Sequence, residues 1–570
     1  MSSGATLAGG QAFATGGRGS PPPVIRQHLL TDLLDDAVRR YGDRPAIDFL
    51  GRVTHYAELG ELVDRAARGL QDLGVKPGTR VGLCLPNTPY YPILYFATLR
   101  VGGIVVNMNP LYVVRELIAL IEDSGAEVVV TCDLAQFHDR AVATLAQTRV
   151  RHVVICPIAD ALSPLKRFAY KLFKRGDIAP ELQDPRALHF ADLITNPAAP
   201  DPVALSPEDV AVFQYTGGTT GVPKAAMLTH ANLTSNAEAE LIHVGGERPE
   251  QDRVVGVLPL FHVFALTTVL NFSVLVGAEM VLLPRFELHQ LLATIRRTRP
   301  NYFPAVPTIY GAINEIAAKE KIDFSFIHAC ISGGAALPAE VRQSFETLTG
   351  SRVVEGYGLS EASPIITCNP IDGLNKAGSA GIAFPGTIIE IRDLDDPHRV
   401  LGTGERGEIC ARGPQVMKGY WNRAKETEAV FVDGALRTGD VGYLDEDGYL
   451  FIVDRIKDMI LSGGYNVYPR VIEEALYEHP AVREAVVIGV PDAYRGQSAK
   501  AFVTLNEGAS ATPETLAAFL KQRLNAIERP REIEIRDSLP KTLIGKLSKK
   551  ELVAEEAAKA ATQQGDGNEQ

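Results

Sequence analysis

Ten residues, Tyr215–Lys224 (YTGGTTGVPK), bring together the groups that an oxyanion needs. Thr216, Gly217, Gly218, Thr219, Thr220 and Gly221 offer three hydroxyls and three positions without a side chain. Glycines let the backbone approach a phosphate closely, and successive N–H groups form a nest for an anion. Lys224 adds a positive charge, and the apolar AVFQ run before the loop reads as a strand that would hold it at a sheet edge. A plain turn would use the glycines but would not call for three threonines, so the loop is read as a phosphate binder. Residues 402–407 (GTGERG) fit a GxGxxG pattern, yet they lead into the strand-like EICAR instead of opening a helix, and read as a turn. The chain has no GxSxG elbow, no HExxH pair and no Walker A sequence. His262 stands alone in the apolar run PLFHVF, where a histidine is by itself most often a satisfied core residue.

The phosphate loop is followed in order by six further motifs: PLFHVFAL, SGGAAL, EGYGLSEASP, RTGD, VDRIKDMILSGGYNVYP and PKTLIGK. Together they resemble the adenylate-forming superfamily, which includes acyl-CoA synthetases, firefly luciferase and peptide-synthetase adenylation domains. The resemblance covers about residues 26–555. The texture of QYTGGTTGVPKAAMLTH and GPQVMKGYW is most similar to bacterial long-chain fatty acid–CoA ligases. It implies an α/β fold: a large N-terminal adenylate-forming domain with stacked αβ layers and a small β-rich subdomain, then a small mobile α/β C-terminal domain. It also implies the chemistry. A carboxylate attacks the α-phosphorus of ATP to give an acyl-adenylate and pyrophosphate, and the CoA thiol then displaces AMP. Both steps need positioning and charge stabilisation rather than a covalent enzyme nucleophile.

The resemblance assigns roles residue by residue. Glu361 and Thr216 would hold Mg²⁺ on the phosphates, work suited to hard oxygen ligands. Tyr357 would stack on adenine, Gly333, Gly334 and Ala335 would line the base, and Glu355, Gly356, Gly358 and Ser360 belong to the same nucleotide wall. Asp440 would accept hydrogen bonds from the ribose hydroxyls, with Arg455 supporting the nucleotide. Lys546 would contact the carboxylate and α-phosphate oxygens during adenylation, offsetting their repulsion. His262 would stand beside the acyl carboxylate. Lys457 matches the hinge, and Ser462, Gly463, Gly464 and Tyr465 would line the pantetheine tunnel. The bland alternatives are a surface glutamate, a core tyrosine, a turn aspartate, an exposed lysine and a glycine-rich turn. Three positions depart from the pattern: Ser360 replaces a threonine, Ile544 a small hydroxyl residue, and Ala435 a tryptophan frequent in fatty acyl ligases.

The expected activity is ATP- and Mg²⁺-dependent ligation of a medium- to long-chain fatty acid to CoA. The alternatives are a dicarboxylate or aromatic acid as substrate, a carrier protein as acceptor, or a non-catalytic nucleotide-binding protein docked on a membrane. The resemblance also allows a homodimer.

Positioning these residues calls for strands that end at the site and helices that cover them. Arg80–Leu85, Ile104–Asn107, Glu127–Thr131 and His152–Cys156 read as short buried strands. Leu59, Leu62, Ala66, Leu70 and Leu73 recur at helical spacing until Gly74. This alternation favours parallel sheets. From about Gly378 the texture changes to short strands and turns, and beyond Tyr468-Pro469 a compact α/β pattern returns, with a helix expected over Thr512–Leu524. Domains are expected at 26–456 and 457–555, with tails at 1–25 and 556–570.

The 570 residues suggest roughly three or four structural units. A hydrophobic fraction of 46% with 22% charged residues excludes a disordered or fibrous chain. The net charge of −12 argues against a general nucleic-acid binder. Six scattered cysteines form no CxxC pair, which points to a reducing cytosol. Residues 254–278 carry no Asp, Glu, Lys or Arg and are long enough to span a bilayer, but Pro259, His262, Thr267, Thr268, Asn271 and Ser273 favour a buried strand, loop and helix. Residues 165–175 (LKRFAYKLFKR) interleave five basic residues with Leu, Phe and Tyr. They read either as a helix whose apolar face docks on its own domain or as a peripheral contact with the inner face of the cell membrane.

Overall fold

The computed structural model describes residues 24–180, 184–216, 223–462, 465–492, 494–541 and 547–566. Gly217, Gly218, Thr219, Thr220, Gly221, Gly463, Gly464 and Lys546 therefore lie outside the described residues, as does most of the expected N-terminal tail.

Two large sheets form the body. The first has seven strands in the spatial order Ala187–His189, His152–Cys156, Val128–Cys132, Arg80–Leu83, Ile104–Asn107, Val210–Thr216 and Lys224–Thr229. All neighbours are parallel except the last two, which form an antiparallel hairpin. The apolar runs read as strands lie side by side here. Val128–Cys132 is buried at every position, as a parallel strand covered on both faces must be. The helix Tyr56–Asp72 buries Leu59, Ala66 and Leu70 of the expected stripe together with Val63, while Leu62 and Leu73, the residue that caps the helix, are only half-buried.

The second sheet has nine strands, in the order Ile382–Ala383, Ile365–Cys368, Val353–Gly358, Ala329–Ser332, Tyr302–Ala305, Arg253–Gly256, Glu279–Leu282, Pro45–Phe49 and Arg52–His55. Its centre is parallel and its two ends are antiparallel. The uncharged run at 254–278 is part of this core. It continues from strand Arg253–Gly256 through the short helix Val263–Ala265 and a π-helical turn, Leu266–Asn271, to helix Phe272–Val276. Among the described residues, no helix is long and apolar enough to cross a membrane.

A third, antiparallel sheet holds Ile388–Arg392, Gly407–Arg412, Ala435–Leu444 and Phe431–Val432, with Leu450–Arg455 paired to Ala435–Leu444. Residues 402–407 form the turn that enters strand Gly407–Arg412, with Gly404 at φ +80°. The 3₁₀ turn Ile456–Asp458 leads to a fourth sheet, built from Tyr465–Val467, Ile460–Ser462, Gly496–Leu505, Val482–Asp492 and Glu532–Ile535. This sheet has its own core around Ile472, Leu476, Val487, Ala501, Leu516 and Leu520.

Two expectations need correcting. The folded chain does not end at 555, because helix Lys550–Asp566 runs past that point. Its Leu552 is buried against Val486, Ile488 and Phe502, and its Glu556 reaches back 3.1 Å to Lys500 Nζ, which also holds Glu532 and Glu534. The basic segment does form a helix, Pro164–Phe173, but none of its residues is buried, and its Leu and Phe side chains face away from the domain.

Candidate active site

The phosphate loop is held at its base by the hairpin, whose register pairs Thr216 with Lys224. The segment around Tyr420 then adds to the edge of strand Lys224–Thr229: Met227 N–H donates to Gly419 O at 2.8 Å, Trp421 N–H to Ala225 O at 2.9 Å, and Lys418 N–H to Met227 O at 3.0 Å. This addition brings the Tyr420 ring 5.3 Å from the Lys224 ammonium. The Tyr420 hydroxyl donates to Glu361 Oε1 at 2.7 Å, and Met417 N–H donates to the Glu361 carbonyl at 2.7 Å. Burial, with Glu361 alongside, pushes the Tyr420 phenol far above its usual range, so the hydroxyl stays a donor. Glu361 lies in a 3₁₀ turn, Ser360–Ala362, packed against both strands of the hairpin.

Tyr420 carries no role in the sequence reading, although it lies in the quoted GPQVMKGYW. Asp123 was missed altogether. Its carboxylate accepts from Tyr215 OH at 2.7 Å and from Arg423 at 2.6 Å, and its carbonyl accepts from Trp421 Nε1 at 3.1 Å. It thus ties the residue before Thr216 to those after Tyr420. These partners are 92 to 300 positions away in the chain, so no local pattern could have revealed them.

The nucleoside end is built at the C-terminal ends of parallel strands, where open α/β sheets bind ligands. Ser332 closes strand Ala329–Ser332 opposite Glu355, which places Gly333, Gly334 and Ala335 beside Glu355, Gly356 and Tyr357. A Cβ on Gly358 would lie 1.9 Å from the Pro364 carbonyl oxygen, so only glycine lets strand Val353–Gly358 turn back into strand Ile365–Cys368 here. The Tyr357 hydroxyl donates to Asp440 Oδ2 at 2.5 Å, and Arg455 Nε stands 3.3 Å from Asp440 Oδ1. Asp440 and Arg455 are register partners on adjacent strands, and Asp440 N–H is steadied by Thr438 Oγ1 at 3.1 Å. Tyr357, Asp440 and Arg455 therefore form one cluster. Burial pushes the Glu355 carboxyl up to about 7, against the opposing pull of Arg470 from helix Pro469–Tyr477.

His262 caps helix Val263–Ala265, its Nδ1 accepting from Phe264 N–H at 3.3 Å. It is half-buried, next to Phe261, whose carbonyl accepts from Gln214 Nε2 at 3.2 Å. Gln214 lies two residues before Thr216, so the histidine segment is tied directly to the phosphate strand. Asn107 donates to Gln214 Oε1 at 2.8 Å and accepts from Tyr91 OH at 2.5 Å, extending the same polar chain into the core. Lys457 lies in the turn between the third and fourth sheets. Burial pulls its ammonium below the usual range, with Arg455 adding to this, while Asp440 and Glu361 pull the other way.

Tyr465 is exposed, and Ser462 is buried at the end of its strand. The lysine loop closes at its base, where Lys541 pairs with Leu547 and Ser548 N–H donates to Pro540 O at 2.9 Å. Ala435 is buried against Cys410 and Val432, in a small core of its own. No cluster of three or more His, Cys, Asp or Glu side chains suited to a metal occurs among the described residues. The oxygens of Thr216 and Glu361 are nonetheless a hard donor set, which fits a magnesium ion completed by phosphate and water.

Residues 34–421 match the family model described as AMP-binding enzyme, and residues 471–546 match the AMP-binding enzyme C-terminal domain. A long-chain-fatty-acid–CoA ligase from Bacillus subtilis is 42% identical over 537 residues, covering 92% of this chain and 94% of its own. One from Yersinia pestis is 40% identical over 549 residues, covering 94% and 96%. Among solved structures, an anthranilate CoA ligase in complex with anthranoyl-AMP superposes with a TM-score of 0.82 at 27% identity, over 94% of this chain and 98% of that one.

Proposed function

This chain belongs to the AMP-binding enzyme family, and on that premise we propose that it ligates medium- to long-chain fatty acids to CoA through an acyl-adenylate. The observation that carries the mechanism is the juxtaposition of Lys224, Tyr420 and Glu361 at the base of the phosphate loop. The choice of a fatty acid rests on the named activity of relatives that align over nearly the whole chain. Ala435 does not count against it, since that residue packs into a local core and not at the nucleotide cluster.

Tyr357 presents its ring to adenine, and Asp440 accepts from the ribose hydroxyls while Arg455 stands beside it. Lys224 and the loop it closes gather the phosphates. Thr216 and Glu361 would hold magnesium, which when bound neutralises charge on the phosphate oxygens. Tyr420 fixes the Glu361 carboxylate, so its orientation is set before substrate arrives. His262, tied through Phe261 and Gln214 to the phosphate strand, positions the acyl carboxylate for in-line attack. Lys546 then stabilises the charge shared between carboxylate and α-phosphate. For the second half-reaction the C-terminal domain turns about Lys457 and brings Ser462, Gly463, Gly464 and Tyr465 to the pantetheine arm.

Pyrophosphate release with Mg-ATP, measured on octanoate, palmitate, oleate, pimelate and benzoate with and without CoA, tests this reading. CoA-dependent turnover strongest on palmitate or oleate is expected. A preference for pimelate or benzoate would overturn the substrate and keep the mechanism, and release on no acid would overturn both.

A further inference from the structure

Helix Pro164–Phe173 is amphipathic in the reverse sense to an ordinary surface helix. Its polar side faces the protein: Lys166 Nζ donates to the Leu50 carbonyl at 2.6 Å, Arg167 pairs with Asp160 at 2.8 Å, and Lys171 stands 3.9 Å from the same carboxylate. Tyr170, on that side, packs against the core. The opposite side carries Leu165, Phe168 and Leu172, three and four residues apart and so in one stripe, with Phe173 at its end. These side chains are 80, 69, 61 and 79% exposed. A surface helix normally turns such residues inward. Here four large apolar groups share one exposed patch, flanked by Lys166, Arg167, Lys171 and Lys174 and by Arg52, which donates to the Asp160 carbonyl.

We propose that this helix is a docking surface for an anionic lipid bilayer, lying in the headgroup plane with Leu165, Phe168, Leu172 and Phe173 inserted. Charge decides between occupants. A second copy related by two-fold symmetry would set the same patch against itself, cation against cation. An anionic bilayer complements it. The chain as a whole carries −12 and is repelled by such a surface everywhere except where basic side chains cluster, so the patch also fixes the orientation of docking. The apolar side chains are more than half exposed one by one, and acyl chains pack around such protruding groups. The inference does not depend on which acid the enzyme activates, and its readout is not turnover.

Co-sedimentation with vesicles of phosphatidylcholine alone, and of phosphatidylcholine mixed with phosphatidylglycerol, tests it on the full chain. Wild type is expected to partition at least about tenfold more onto the anionic vesicles. The pair Phe168→Ser with Leu172→Ser should lose binding to both, and the pair Lys171→Gln with Lys174→Gln should lose the anionic preference. Octanoate turnover in vesicle-free solution, unchanged in both, shows that the variants fold; if the serine pair misfolds, the glutamine pair decides. Equal partitioning of wild type onto the two vesicle types would overturn the proposal, as would wild-type behaviour of a folded variant. A change of oligomeric mass in the serine pair, with vesicle binding intact, would also overturn it and assign the patch to a second copy.

Discussion

Glu361 is held by a hydroxyl that no motif announces. The Tyr420 phenol lies 2.7 Å from its carboxylate, is buried, and stays protonated across the working pH range. A hydrogen bond to a charged acceptor contributes about 1.5–3 kcal/mol net. Removing it in Tyr420→Phe should therefore lower kcat/KM for Mg-ATP by roughly 10- to 100-fold, with the fatty acid KM little changed. Pyrophosphate release at saturating palmitate, titrated with Mg-ATP, checks this; wild-type turnover would mean that Glu361 needs no such support. Motif residues such as Tyr357, Asp440 and Lys224 were legible in the sequence because each sits in a short run of unusual composition. Tyr420 and Asp123 were not, because their significance lies in contacts made across 59 to 300 positions.

Helix His230–His243 shows what an element can conceal. It is buried along most of its length, and it places Glu240 in the core with Oε2 lacking a hydrogen-bond partner. Burial alone pushes this carboxyl from 4.5 up to about 8. The folded pKa is raised, so Glu240 is neutral in the fold at pH 7 and ionised in the unfolded chain. It costs nothing below about pH 4.5, and its penalty grows as pH rises from there to about 8. Glu240→Gln should consequently match wild type near pH 4 and exceed it by about 2–3 kcal/mol near pH 7. Denaturant midpoints at several pH values measure this, and a difference independent of pH would show that the carboxyl is ionised in the fold. The parallel strands and helix Tyr56–Asp72 were readable because burial on both faces or on one stripe imposes a pattern on consecutive residues. Helix Lys550–Asp566 was not, since its Ala- and Glu-rich sequence resembles a solvated tail. Its anchor, Glu556 on Lys500, joins residues 56 apart.

Across the whole molecule, no hydrophobic cluster among the described residues spans the body and the C-terminal domain, and polar contacts link the two. Arg470 N–H donates to Asp454 Oδ2 at 2.8 Å, the Arg470 side chain bears on Glu355, and Lys319 and Glu507 meet at 3.9 Å in an exposed pair of little worth. Interfaces of this kind permit domain rotation, whereas a broad apolar seam would lock one arrangement. The Lys457 turn lies between the two, where the proposed pivot would be, with its ammonium destabilised by burial beside Arg455. If the domain presents Lys546 for adenylation and the glycine-containing loop at 463–464 for thioester formation, the two half-reactions must separate by mutation. Lys546→Ala should lower acyl-adenylate formation by at least about a thousandfold, the scale of losing a charge that acts in the transition state. Conversion of supplied palmitoyl-adenylate and CoA to palmitoyl-CoA should remain within a few-fold of wild type. Single-turnover assays of each half-reaction measure both quantities. Equal loss in the two would mean that Lys546 stays at the reacting centre throughout, and that the domain does not alternate.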